Sequence, residues 1–554
     1  MIDRRAFIGK AAAFAFAGSA LAQVAPARAS DGSGDLLMLN GRIGTMDRAR
    51  PRAEAVVVRG GRIAFVGSNG EAREVGKGLQ VTDLEGRMLL PGFIDGHTHF
   101  QYYIESDSFH TRVPPSLATL EEIFAVLRKA AASTPKGQWI FGRGYFNLAG
   151  QVAEKRMATR HELDAITTAH PMILFSSVHV ASLNTPALKL LGFWTPEDEA
   201  KLRWKDGTRR TGTMVGRDAA GLPTGVVTEM FEMVLDQSLY PDDLRKAAYE
   251  RYAKTMFLGS GMTTVCNVSG VAEHIRLERE MQAEGRLPLR FRSFYMVPGS
   301  IGLDDMLKQG VRQGQDSEMH RVGGVKMFVD GAGQDPEGNR ISDYKWTEER
   351  LADHIARANA GGLPVLLHVV TVGGLELALN ALAAARPRGG GAMRNQIHHL
   401  GFLRNPEHLK RLKALGITVG ITRAEKGSAR NQTAPDFRGI LDSGVQLLCV
   451  ADPAGSFGFF SAWEGISSLV ARRGEGGVLP DDRRLSVDEA LHSWTVQSAF
   501  TNHEEADKGS ISVGKMADFQ LVSQDPWAVE PAALFETKVD AAYLGGRLVY
   551  GRQA

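Results

Sequence analysis

The chain has 554 residues, of which 65 are Lys or Arg, 63 are Asp or Glu and only two are Cys. A balance this close to neutral excludes bulk charge as a basis for binding nucleic acid or an anionic membrane. Two cysteines exclude a disulfide scaffold and a cysteine-rich metal motif, so any metal must be held by histidines and carboxylates.

Residues 1–29 form the first element. Asp3-Arg4-Arg5-Ala6-Phe7-Ile8 precedes a run rich in Ala, Phe and Gly that ends at Leu21-Ala22, and the pattern resembles a twin-arginine export signal. The run is too short for a comfortable membrane span. Ala27-Arg28-Ala29 fits a small-x-small cleavage site, which predicts a mature start at Ser30, with cleavage after Ala22 as the alternative. Removal takes away Arg4, Arg5, Lys10, Arg28 and Asp3, leaving 61 basic and 62 acidic residues. The expected location is the periplasm. The export machinery would be a transient partner, and no stable membrane insertion should follow cleavage.

Residues 35–90 alternate short β runs with glycine-centred turns (LLMLNGRI, AEAVVVRGGRIAFVG, LQVTDLEGRMLL), and residues 509–554 do the same. The two ends are expected to build one small β-sandwich domain from residues 30–90 and 505–554. Between them, residues 91–504 alternate apolar runs with helical patterns, the signature of an α/β protein of the TIM-like (β/α)8 barrel type. Eight strands are predicted at 93–97, 262–268, 289–297, 322–330, 363–370, 395–400, 416–422 and 446–452, the number that closes such a barrel. Cys266 and Cys449 lie inside two of these runs and are expected as buried free thiols. Residues 101–255 interrupt the alternation after the first strand. Insertions there lie over the C-terminal mouth, so this one is expected to wall or cover a substrate pocket. Its own apolar run is PMILFSSVHV, and Tyr102, Tyr103, Tyr145 and Phe146 are candidate pocket residues.

The decapeptide PGFIDGHTHF (91–100) carries the chemistry. Positions i and i+2 of a strand face the same way, so His97 and His99 point together from a strand end. Further ionisable residues recur at the other strand ends: Lys326 in strand four, His368 in five, His399 in six and Asp452 closing eight. Burying a lysine or carboxylate in such apolar runs is costly unless it is paired, coordinated or chemically changed. Histidines with a carboxylate suit zinc, and a catalytic site keeps one position open. Strand alternation also requires one of His398 and His399 to point outward.

These motifs resemble the metal-dependent amidohydrolase superfamily, and within it the amidohydrolase 3, or YtcJ-like, branch. The likeness runs from about residue 35 to 550. It is carried by PGFIDGHTHF, WIFGRGYF, HVASLNTPAL, GVVTE, GMTTV, VKMFVDG and LSVDEALHSWTVQSAF followed by GSISVGKMADFQLV. The resemblance implies a distorted barrel holding one or two divalent metals, usually zinc. His97, His99 and Asp452 would bind the more buried ion, His368 and His399 the second, and a carboxylated Lys326 would bridge them. The chain departs from the branch at three flanks. Val369-Val370 follow His368 where Gly-Asp is usual, His398 replaces a Glu before His399, and Val450-Ala451 replace Gly-Ser before Asp452.

The implied reaction is hydrolysis of a non-peptide C–N bond (amide, N-acyl, N-formyl or cyclic amide) of a small molecule by metal-activated hydroxide. Asp452 would act as catalytic acid–base, and His179 would bind the substrate carbonyl or serve to tether the lid. One rival is a hydrolase of the same fold acting on ester, lactone or phosphotriester bonds, which a substrate panel separates. Another is a non-catalytic periplasmic binding protein, which would bind without turnover. A redox enzyme lacks support, as no convincing G-x-G-x-x-G motif or cysteine cluster is present. A homodimer is the base-rate expectation for assembly.

Overall fold

The computed structural model describes residues 34–144, 148–176, 179–201, 214–228, 240–299, 301–331, 346–388, 393–422, 435–453, 461–471, 473–474, 477–478 and 483–551. The predicted export signal, Tyr145 and Phe146 lie outside them.

All eight predicted strands are present. They are β1 (Phe93–Thr98), β2 (Met262–Gly270), β3 (Arg290–Met296), β4 (His320–Phe328), β5 (Val365–His368), β6 (Gln396–His398), β7 (Thr418–Thr422) and β8 (Gln446–Val450). They pair in sequence order, and every pairing is parallel. A parallel sheet wrapped in helices buries both faces, which is why every residue of β3 and of β5 is buried. The ladder stops between β8 and β1, and Asp95 bridges that seam. Its buried carboxylate accepts the Ala451 N–H at 3.0 Å, the His97 N–H at 3.2 Å and the Thr98 hydroxyl. Burial pushes the Asp95 carboxyl up to about 6 although all three bonds favour its anion. Beside it the Asp452 N–H donates to the His97 carbonyl at 2.8 Å. The nearly closed barrel thus joins its ends where two candidate ligands meet.

Helices Ala462–Val470 and Val487–Trp494 pack the same seam from outside. Each starts with a capping box, Ser461 with Glu464 and Ser486 with Glu489, a device worth about 1 kcal/mol per helix. Their Trp463 and Trp494 enclose Phe93 of β1 at ring separations of 5.2 and 6.2 Å. The second helix breaks at Thr495 (φ −126°, ψ −91°), whose hydroxyl bonds back to Leu491, and the chain resumes as Val496–Thr501.

At the opposite end, strands from both chain ends share a sheet: Phe519–Val522 pairs with Met88–Pro91 and with Val539–Leu544. A four-stranded sheet from residues 36–83 packs with it around Met38, Val56, Phe519 and Tyr543. The insertion has a six-stranded sheet and cores of its own. Its apolar run 171–180 contains the strand Met172–Phe175 and ends at Val180, where the antiparallel partner strand Val180–Leu183 begins. Cys266 and Cys449 are both buried, and neither is part of a disulfide.

Candidate metal centre

β1 delivers His97 from its penultimate position, and His99 opens the helix Phe100–Phe109 just beyond it. Asp452 and His399 follow β8 and β6 in left-handed backbone, φ +47° and +76°. Such conformations cost on the order of 1–3 kcal/mol for residues other than glycine. Here the backbone bond from Asp452 to His97, and one of 2.8 Å from the His399 N–H to the Gly420 carbonyl, hold them.

The donor atoms of His97, His99 and Asp452 all lie within 4.8 Å of one another. Nε2 of His97 and of His99 stand 3.7 and 3.5 Å from Asp452 Oδ1, and Nδ1 of His399 stands 3.7 Å from Oδ2. Ligands bonded to one tetrahedral zinc stand about 3.4 Å apart, so these spacings fit a shared ion better than direct hydrogen bonds. Nε2 of His97 is buried with no hydrogen-bond partner among the described residues, a vacancy of bonding that a cation would fill. Burial, then the Lys326 charge and the neighbouring imidazoles, holds His97 well below the ordinary imidazole value. Burial likewise pulls His99 down to about 3, with Lys326 and His179 adding to it and the Val268 carbonyl opposing. Neutral imidazoles are what coordination requires.

Lys326 is fully buried in β4, and its Nζ also has no hydrogen-bond partner among the described residues. It lies 5.0 Å above the Phe328 ring. Burial pulls it down to about 7 against the attraction of Asp452. Lowering the value raises the share of neutral amine, the form that carbon dioxide carboxylates. His368 ends β5 with its ring 4.5 Å from that of His399, 4.9 Å from Phe328 and 5.5 Å from His179. His179 belongs to the insertion, so that segment reaches the centre. Asp330, just past β4, accepts the N–H groups of Val370 and Thr371 at 2.9 Å each and the Thr371 hydroxyl at 2.7 Å, fixing the turn that follows His368.

One expectation needs correction. Alternation does not turn His398 or His399 outward. The strand ends at His398, and the left-handed His399 swings its ring back, so both stand within 4.9 Å of the His97 ring centroid. Of the candidate pocket residues, Tyr102 and Tyr103 are buried, and Tyr103 packs in the main core against Tyr252. Sequence reasoning also missed Asp95, Gln396 and Asp330. The only local signal was a polar residue inside an apolar strand. A separate cleft of about 590 Å³, lined by Asp47, Arg48, Arg438, Gln446 and His492, touches the start of β8 and is lined by none of the candidate metal-centre residues.

The sequence model of the amidohydrolase family matches residues 80–550. Over 555 residues the chain is 28% identical to an N-substituted formamide deformylase of Arthrobacter pascens, covering 94% of this chain and 98% of the relative. It is 24% identical to the putative amidohydrolase YtcJ of Bacillus subtilis, covering 92% and 98%. An uncharacterized metal-dependent hydrolase from Pyrococcus horikoshii shares the fold, with a TM-score of 0.67 at 22% identity over 90% of this chain and 99% of that one.

Proposed function

The chain belongs to the amidohydrolase family, and on that footing we propose that it is a metal-dependent hydrolase of N-acyl or N-formyl amines. The carrying observation is the convergence of His97, His99 and Asp452 at the barrel mouth, with His97 Nε2 buried and without a hydrogen-bond partner among the described residues. These three residues would hold the more buried ion. His368 and His399 offer a second donor pair, and Lys326 would join the two as a carbamate, formed when its neutral amine adds carbon dioxide and releases a proton. The donor set of imidazoles and a carboxylate suits zinc. A divalent cation held there supplies Lewis acidity toward a carbonyl and acidifies water.

Asp452 is the only carboxylate of the donor group, and it is partly exposed toward the mouth. It is placed to take a proton from the attacking water and return it to the leaving amine. His179 donates to the substrate carbonyl, and Phe328 beside His368 offers an apolar contact to one substituent. The 28% identity to a formamide deformylase across nearly both whole chains supports a formyl or short acyl group on the carbonyl side.

The test is a panel of N-substituted formamides, N-acyl amines, esters, lactones and phosphotriesters with wild type and Asp452→Asn. Turnover of a C–N substrate should fall about 10²–10⁴-fold in the variant. Wild-type turnover by Asp452→Asn would refute the acid–base assignment. Activity on the oxygen esters alone would refute the substrate class.

A further inference from the structure

His97 and His398 face each other through Nδ1 atoms 2.7 Å apart, both rings fully buried. One Nδ1 must donate and the other accept. Gln396 decides which. It stands two residues before His398 on the same face of β6, and its amide oxygen lies 2.9 Å from His398 Nε2. An amide oxygen only accepts, so His398 carries its proton on Nε2 and presents a lone pair at Nδ1. His97 must then donate from Nδ1, which leaves its Nε2 lone pair facing His99 and Asp452.

The neighbouring strand makes room for this arrangement. Gly420 of β7 is in register with His398, and a β-carbon at 420 would fall 2.5 Å from the His398 ring. Real Cβ contacts essentially never come that close, so any larger residue would push the ring out of line.

We propose that Gln396 and His398 are positioning residues that lock His97 in the tautomer able to bind metal, so that the ion's retention depends on a relay inside the barrel. The inference rests on the metal-centre reading above. Ligand imidazoles are ordinarily fixed by a partner on their other nitrogen, and loss of such a partner lowers metal affinity about 10–100-fold. The relay differs from the common arrangement in needing a third residue. His398 could equally donate to His97 if Gln396 did not orient it.

The experiment measures zinc affinity by chelator competition for wild type, His398→Phe, His398→Glu and Gln396→Leu, with thermal unfolding as a folding control. His398→Phe keeps the ring shape but has no acceptor, and should bind zinc about 10–100-fold more weakly. His398→Glu offers a carboxylate to the His97 Nδ1–H and should recover most of that loss. Gln396→Leu should fall between wild type and His398→Phe. In metal-free, 15N-histidine-labelled protein, the His97 resonances should report Nδ1–H in wild type and a shift toward Nε2–H in Gln396→Leu. Wild-type affinity in folded His398→Phe would overturn the proposal, as would Nε2–H on His97 in the wild-type spectrum. If wild type takes up no zinc, the metal reading fails, and the spectrum still decides the relay. If His398→Phe does not fold, Gln396→Leu and the wild-type spectrum decide it.

Discussion

Lys326 is the residue whose chemistry is least ordinary. An ammonium at full burial costs several kcal/mol when unpaired, and among the described residues its Nζ has no hydrogen-bond partner. Conversion to a carbamate would replace that unpaired cation with an anionic ligand, consistent with the pull of burial down to about 7. Lys326→Ala is therefore expected to lose about one metal equivalent per chain, and short carboxylic acids should restore it by filling the vacated space. Elemental analysis with and without added acetate checks this, and an unchanged metal load would demote the lysine to a substrate contact. His97, His99, Lys326, His368, His399 and Asp452 were legible because each is an ionisable group in or beside an apolar run. Gln396, His398 and Asp95 were not legible as partners. Their bonds join residues as far apart as 356 positions, and a single polar residue in a strand does not say what it faces.

At the level of elements, apolar runs bounded by glycine and helical patterns located every barrel strand, because parallel strands buried on both faces are predominantly apolar. The ends were less legible than the centres. Runs 363–370 and 395–400 shrink to Val365–His368 and Gln396–His398, since the chain leaves the sheet to aim its histidines. His399 illustrates the cause. Its positive φ is imposed by the backbone bond to Gly420 across the next strand, a tertiary contact that overrides strand periodicity. Hydrophobicity alone does not mark where a strand ends: of the apolar run 171–180, Met172–Phe175 is a strand and Val180 opens the next.

Across the whole molecule, a buried charge network ties the base of the barrel to the segment leading into the last strands. Arg292 of β3 donates to Glu504 at 2.8 Å, Arg321 of β4 at 2.7 Å, and Lys508 lies 3.5 Å away. Arg290 forms a two-pronged pair with Asp518 at 2.7 and 2.9 Å. Burial alone would raise the Glu504 carboxyl, but Arg292, Lys508 and Arg321 outweigh it and hold the group far below its ordinary 4.5. A depressed carboxyl stabilises the fold above its unfolded value, and that stability is lost as pH falls below about 4.5 toward the folded value. Glu504→Gln should cost about 3–5 kcal/mol at neutral pH by stranding buried cations. Denaturant titrations from pH 7 to 3 should show the gap from wild type narrowing with acid, and a constant gap would contradict the account. The central claim, that His97, His99 and Asp452 hold a catalytic metal, is tested most directly by the metal content of the purified protein. Wild type is predicted to carry at least one divalent ion per chain, zinc by its donor set, and His97→Ala/His99→Ala to carry none at that position. Wild type that stays metal-free after growth in zinc and reconstitution would contradict it.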